Sequence, residues 1–241
     1  MNPALLELIH RAFRSVGLRI SWAPNWKALL SEVDLVIDVG SHLGEAAKFF
    51  RSCGYQGMME CFEANPELIP ALQKNLARDL KTGRCRLWNI AVSDNEAEAK
   101  FTIRKVDTGS SLLADSLLPD QKYEKDSRVV SVKTKRLDGI DFGNPKQILL
   151  KVDAEGHDLN IIRGASGMKN VRYIMMEVAN RSRFVGEPDT PQVIAEMNRL
   201  NFKPIFVNHQ FYGDLGPIVC HAMDVVFENA LYPVAQQKKS S

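Results

Sequence analysis

From residue 34 onward, short apolar runs alternate with stretches in which apolar positions recur every three or four residues. Leu35-Val36-Ile37-Asp38-Val39 is a compact run ending at Gly40, and helical spacing follows through Ala46, Ala47, Phe49 and Phe50. Met58-Met59-Glu60-Cys61-Phe62 predicts the second strand. The helix after it carries Leu68, Ile69, Leu72 and Leu76, and Pro66 stands where a first helical turn tolerates proline. A third strand is predicted over residues 86–92. Ile148-Leu149-Leu150-Lys151-Val152 and Tyr173-Ile174-Met175-Met176 are nearly continuous apolar runs, the pattern of strands covered on both faces. Residues 202–207 and 223–227 supply two more. Repeated strand-then-helix units predict an α/β fold: a doubly wound, mostly parallel sheet with right-handed crossovers.

Two stretches depart from that rhythm. Residues 100–104 and 129–134 read as an extra pair of strands, an inserted hairpin. Between them residues 105–128 are polar and charged, with Gly109-Ser110-Ser111-Leu112-Leu113 inside. Long insertions in compact domains are often functional, so this one is a candidate lid, with a plain surface loop as the alternative. Residues 2–16 predict an amphipathic helix, with Leu5, Leu6, Leu8, Ile9, Ala12, Phe13 and Val16 on one side and Arg11 and Arg14 on the other. Such a helix packs on its own domain or on a second subunit, as in a homodimer. Peripheral membrane contact is the other reading, and Trp22 and Trp26 are compatible with it. The expected organisation is a helical extension over 1–30, one domain over 31–230 and a flexible tail over 231–241.

Composition narrows the class of protein. At 241 residues, 45% of them hydrophobic, a single α/β domain buries enough surface to need neither disulfide nor metal for stability. Thirty-one Lys and Arg offset 29 Asp and Glu, and the basic residues are scattered. A nucleic-acid partner is therefore not expected, because it calls for a basic stripe with interleaved aromatics. Cys53, Cys61, Cys85 and Cys220 form no C-x-x-C pair, which suggests free thiols in a reducing compartment. No apolar run reaches the roughly 18–20 residues that span a bilayer, and the N-terminus lacks the basic-then-apolar pattern of a signal peptide. A cytoplasmic location is the expectation.

In open α/β sheets ligands bind at the carboxyl ends of the strands, where strand order reverses. The first strand ends in Asp38-Val39-Gly40-Ser41-His42-Leu43-Gly44. Gly40 permits a tight turn, Gly44 lets the following helix approach the sheet, and exposed N–H groups there can meet a carboxylate or phosphate. The second strand ends in Glu63-Ala64-Asn65-Pro66. A carboxylate at Glu63 suits both ribose hydroxyls of an adenosine-containing ligand, with a place in a helix cap as the alternative, and its spacing from Asp38 is close to the ~20 residues expected after a glycine loop. The fourth strand ends in Lys151-Val152-Asp153-Ala154-Glu155-Gly156-His157-Asp158. Asp153 is the first polar residue after a buried run and so a candidate functional acid, whereas Asp158 is expected to cap or begin the next helix. Glu177 ends the fifth strand in the same manner as Asp153.

These segments resemble the FkbM family of class I methyltransferases, in which Asn or His replaces the middle glycine of the first motif. Thr134-Lys135-Arg136-Leu137-Asp138 is similar to the family's T-x-x-L-D segment. Residues 151–158, followed by Ile162-Arg163-Gly164-Ala165, resemble its K-x-D-x-E-G-x-E…G-A hallmark, with Asp158 in place of Glu. Met176-Glu177 and Asp224-Val225-Val226-Phe227 match its later strands. The resemblance implies a seven-stranded Rossmann-like sheet, S-adenosyl-L-methionine as methyl donor, and a hydroxyl on a sugar, glycolipid or natural product as acceptor. It implies that Asp38, Gly40, Ser41, His42 and Gly44 line the methionine end, and that Glu63 holds the ribose with Ala64 and Asn65 beside it. Ala91, Val92 and Ser93 would lie near the adenine, and Ser110 and Ser111 would close over the donor.

Transfer to a hydroxyl needs an activator. His157 or Asp153 is the candidate base; His157 has the better unperturbed pKa but as a first-turn residue is equally readable as structural. Mg²⁺ held by Asp153 and Glu177 is the alternative, since hard oxygens suit that ion. Two other classes remain open: an NAD-dependent oxidoreductase, which would share the ribose contact but ordinarily shows a closer glycine triplet, and a non-catalytic Rossmann-like binding protein.

Overall fold

The computed structural model describes residues 25–104, 110–113, 127–179, 182, 184–210 and 222–232. The chain enters through α1 (Trp26–Leu30), whose first turn is capped by the Asn25 side chain accepting from the Ala28 N–H. Next come β1 (Leu35–Val39), α2 (Glu45–Ser52), β2 (Met58–Phe62), α3 (Ile69–Asn75), α4 (Ala77–Lys81), β3 (Cys85–Trp88) and β4 (Ala91–Val92). The hairpin strands β5 (Glu98–Ile103) and β6 (Arg128–Lys135) follow, then a 3-10 turn at Leu137–Gly139. The chain continues through β7 (Ile148–Val152), α5 (Asp158–Gly164), β8 (Val171–Ala179), α6 (Thr190–Arg199), β9 (Phe202–Gln210) and β10 (Ala222–Asn229).

Seven strands form one sheet in the order β3-β2-β1-β7-β8-β10-β9. The strands from β3 to β8 are parallel, while β10 inserts antiparallel between β8 and β9. The order reverses at β1 and β7, which lie side by side with Asp38 opposite Lys151 and Val39 opposite Val152. Every residue of β1 and of β7 is buried, and this is why both read as unbroken runs. One face of the sheet packs Ile37, Leu150, Ile174 and Phe227 against Leu159 and Ile161 of α5 and Val193 and Met197 of α6. The other packs Val36, Met59, Leu149 and Val226 against Leu29, Phe50 and Leu72 from the first three helices. The crevice above the carboxyl ends of β1 and β7 is thus the predicted ligand position.

Three features differ from the pattern reading. The predicted third strand breaks in two: after β3 the Asn89 side chain donates to the Glu63 carbonyl at 2.8 Å, and β4 leaves the main sheet to pair with β6. With β5 it makes a separate three-stranded sheet, β4-β6-β5, so the inserted hairpin carries an additional short strand. Helices are also fewer than strands, and a single 3-10 turn stands among the described residues between β6 and β7. Finally, Glu60 lies fully buried inside β2, held by the guanidinium of Arg86 and by Trp88 Nε1 at 2.7 Å. Two cross-strand donors make an acid tolerable there.

The predicted N-terminal helix over 2–16 lies outside the described residues, as do all of the tail beyond 232 and most of the lid over 105–128. Among the described residues no helix is long and apolar enough to cross a membrane.

Candidate active site

The turn after β1 is built by three unusual residues. Gly40 sits at φ +75°, and a Cβ there would stand 1.8 Å from the carbonyl oxygen of Asp153, so the turn and the end of β7 are in backbone contact. The Gly40 and Ser41 N–H groups both donate to the Phe62 carbonyl at 3.0 Å, which docks the turn onto β2. His42 lies at φ +48°. Asn, Asp and His enter the left-handed region more readily than other side chains, which gives a physical reason for His where a glycine would otherwise serve. Gly44, at φ +84°, begins α2 and lies close against Leu72 and Leu76, so its part is packing.

Glu63 locks this turn to the next. Its Oε2 accepts from the His42 N–H at 2.8 Å and its Oε1 from the Asn65 N–H at 2.7 Å. Burial pushes its carboxyl above the ordinary range, against the pull of those two donors. A carboxylate has about four lone-pair positions, so each oxygen retains one that these backbone donors do not use.

The loop after β7 reverses sharply, with Glu155 at φ +49° and Gly156 at φ +89°. Asp158 fixes it: Oδ1 accepts from the Ala154 N–H and Oδ2 from the Gly156 N–H, both at 3.1 Å. Asp158 therefore closes the loop that precedes α5, and burial pushes its pKa up to about 7. From the lid, Ser111 Oγ donates to the Glu155 carbonyl at 2.8 Å, while its backbone pairs with Thr102 of β5. A Cβ on Gly156 would stand 3.0 Å from side-chain atoms of Leu113 and Glu187, so the described part of the lid is pressed onto this loop.

These turns enclose a cavity of about 400 Å³. That is within the ~300–1,000 Å³ usual for small-molecule and cofactor sites. Of the residues singled out from sequence, Gly40, Ser41, His42, Glu63, Ala64, Asn65, Ala91, Val92, Ser110, Asp153 and His157 line it. Asp38, Gly44, Ser93, Ser111 and Glu177 do not reach its wall. Asp38 is fully buried behind the turn, and Ser93 lies behind His157, whose Nε2 is 3.0 Å from Ser93 Oγ. Burial holds the His157 imidazole below its ordinary pKa. Glu177 instead joins Asp153 and Glu155, one carboxylate oxygen of each lying within 4.8 Å of the others. Leu68, Phe101 and Leu112 add apolar walls. No motif marked them, because only tertiary folding brings α3's approach, β5 and the lid together.

Lys151 is the larger omission of the sequence reading. It is 8% exposed within β7, yet its ammonium lies 3.2 Å from Asp38 Oδ1, 3.5 Å from Asp153 Oδ2 and 2.9 Å from the Gly40 carbonyl. Burial alone would depress its pKa, but the two carboxylates outweigh that and raise it. A lysine inside an otherwise apolar strand was the available signal.

A 3-2-1 half-sheet, a reversed final strand, a glycine turn and an acid on the neighbouring strand together define a Rossmann-like domain of the methyltransferase type. Residues 38–204 match the methyltransferase FkbM domain, and the chain belongs to that family. It is 23% identical over 172 residues to the 2-O-methyltransferase NoeI of Sinorhizobium fredii, covering 66% of this chain and 70% of that protein. It is 24% identical over 156 residues to the hexuronic acid methyltransferase AglP of Haloferax volcanii, covering 61% of this chain and 56% of that one. In fold it resembles the crystal structure of methyltransferase FkbM from Methylobacillus flagellatus, with a TM-score of 0.51 at 14% identity, over 81% of this chain but 44% of the other. The chain thus spans about half the length of two of these three proteins.

Proposed function

We propose that this protein transfers a methyl group from S-adenosylmethionine to a hydroxyl of a saccharide or related small molecule. The observation that carries the reading is a single cavity holding the Gly40 turn and Glu63 beside Asp153. The fit of the donor rests on Glu63, which lines the cavity and has lone pairs left over from its two backbone donors for two ribose hydroxyls. The names of the two relatives, one a 2-O-methyltransferase and one acting on hexuronic acid, support a sugar hydroxyl as acceptor.

The donor supplies an electrophilic methyl on a sulfonium; attack by the acceptor oxygen forms the O–C bond as the C–S bond breaks. The protein's task is to orient the oxygen and receive its proton. Asp153 takes that role in preference to His157. Its carboxylate is 44% exposed and can meet an incoming hydroxyl, whereas His157 is buried and held by Ser93. A general base in this position contributes about 10²–10⁴-fold.

One observation favours a second activator. The oxygens of Asp153, Glu155 and Glu177 lie close enough to hold a divalent cation, and Mg²⁺ accepts such ligands. The cation would lower the hydroxyl's pKa.

The experiment is transfer of labelled methyl from S-adenosylmethionine to a panel of hexoses and hexuronic acids. Asp153→Asn should keep donor affinity and lose about 10²–10⁴-fold in turnover. Unchanged turnover in that variant removes Asp153 from the mechanism. Activity indifferent to chelator removes the metal.

A further inference from the structure

Lys151, the first residue of the K-x-D-x-E-G segment, has no chemical role in the reading above. It is the next-to-last residue of β7, opposite Asp38 on β1 and Met175 on β8, in a strand buried along its whole length. An unpaired ammonium there would be costly, and a buried ion pair is often no more stabilising than apolar side chains of the same volume. The sheet would be served as well by apolar side chains at both Lys151 and Asp38. What methionine lacks is a charge and N–H donors: the Lys151 ammonium donates to the Gly40 carbonyl at 2.9 Å and to the Val39 carbonyl at 3.5 Å, and lies within ion-pair distance of Asp38 and Asp153. Those acceptors belong to different parts of the site. Gly40 is the turn facing the donor, Asp153 the acid facing the acceptor, and Asp38 the buried anchor behind both.

We propose that Lys151 is a positioning residue, its ammonium clamping the donor-side glycine turn and the acceptor-side Asp153 at one fixed spacing. This rests on the methyl-donor reading of the cavity. The backbone contact already described brings the two parts together: a Cβ on Gly40 has no room beside the Asp153 carbonyl. That contact sets the approach of the chains, but leaves the half-exposed Asp153 side chain free to rotate. The lysine removes that freedom. The positions of Gly40 and of the Asp153 carboxylate then depend on one cation, and loss of it loosens both at once.

The test uses the whole 241-residue chain and S-adenosylhomocysteine as calorimetric probe. Lys151→Ala should weaken binding at least tenfold, and added ethylammonium should restore it, because the truncated side chain leaves room for a small cation with N–H donors. Tetramethylammonium, of equal charge but without donors, should not. Lys151→Met combined with Asp38→Asn, which keeps the packing and leaves no unpaired buried charge, should show the same loss without a matching drop in thermal midpoint. If wild-type protein binds the probe but both variants bind it within twofold, the clamp is overturned while the donor reading stands. If wild-type protein does not bind it, the donor reading itself fails. Failure of Lys151→Met to fold, even when paired with Asp38→Asn to remove one charge of each sign, would also overturn the proposal: the lysine would then be holding the sheet.

Discussion

Glu63→Gln separates the two duties assigned to one carboxylate. In the structure both oxygens accept backbone N–H bonds, from His42 at 2.8 Å and Asn65 at 2.7 Å. Glutamine keeps one acceptor and turns an amide toward the other N–H, so one bond is lost and its donor is left buried. Bonds to charged groups contribute about 1.5–3 kcal/mol against roughly 0.5–1.5 for neutral ones, so the turn should lose about 1–3 kcal/mol of stability. Donor binding loses separately. Two ribose hydroxyls that met a carboxylate would meet a neutral amide, at about 1 kcal/mol each, and the sum of about 2 kcal/mol is roughly 30-fold in affinity. Calorimetry with S-adenosylhomocysteine measures this directly, with thermal unfolding as the control for the turn. A 2′-deoxy analogue completes the cycle: it should bind about tenfold more weakly to wild-type protein and lose little further in the variant. If Glu63→Gln folds and binds S-adenosylhomocysteine within twofold of wild type, Glu63 does not hold the ribose and the assignment of the cavity is wrong.

Two further outcomes follow from the geometry. Gly40→Ala places a methyl 1.8 Å from the Asp153 carbonyl on a backbone at φ +75°; left-handed strain and overpacking together should cost about 2–5 kcal/mol in chemical denaturation, and a loss under about 1 kcal/mol would show that the turn yields freely. Asp158, pushed from 3.8 to about 7 by burial, retains a proton in the folded state that the unfolded chain releases. Stability should therefore fall as pH rises from about 4 to about 7, by as much as roughly 4 kcal/mol, and Asp158→Asn should flatten that slope. An unchanged slope in the variant would assign the pH dependence elsewhere.

Strands buried on both faces were the most legible part of the chain. β1, β2 and β7 lie where their apolar runs place them, because a parallel sheet between helical layers favours apolar residues at nearly every position. What alternation could not show was contact between distant residues. The run from Leu87 to Val92 stays mostly apolar across the break at Asn89, and the break comes from a side-chain bond to Glu63, a residue 26 positions away. The antiparallel insertion of β10 is likewise a matter of partners, not of pattern. In the site, residues on strand-end turns such as Gly40, Glu63 and Asp153 were readable from position alone. Ser110 and Ser111 were not separable, since adjacent residues on an extended segment face opposite ways: one lines the cavity and the other bonds the Glu155 carbonyl. Lys151 and Asp38 face each other across strands far apart in sequence, and only the register reveals the pair.

The central claim is that the cavity between the Gly40 turn, Glu63 and Asp153 holds an adenosine-bearing sulfonium donor. Titrating the 241-residue chain with S-adenosylmethionine and with S-adenosylhomocysteine in a calorimeter, beside NADH as the competing ligand, tests it most directly. The account predicts saturable one-to-one binding of the first two, a thermal midpoint that rises with their concentration, and no response to NADH. Binding of NADH alone, or no response to any of the three, would contradict it.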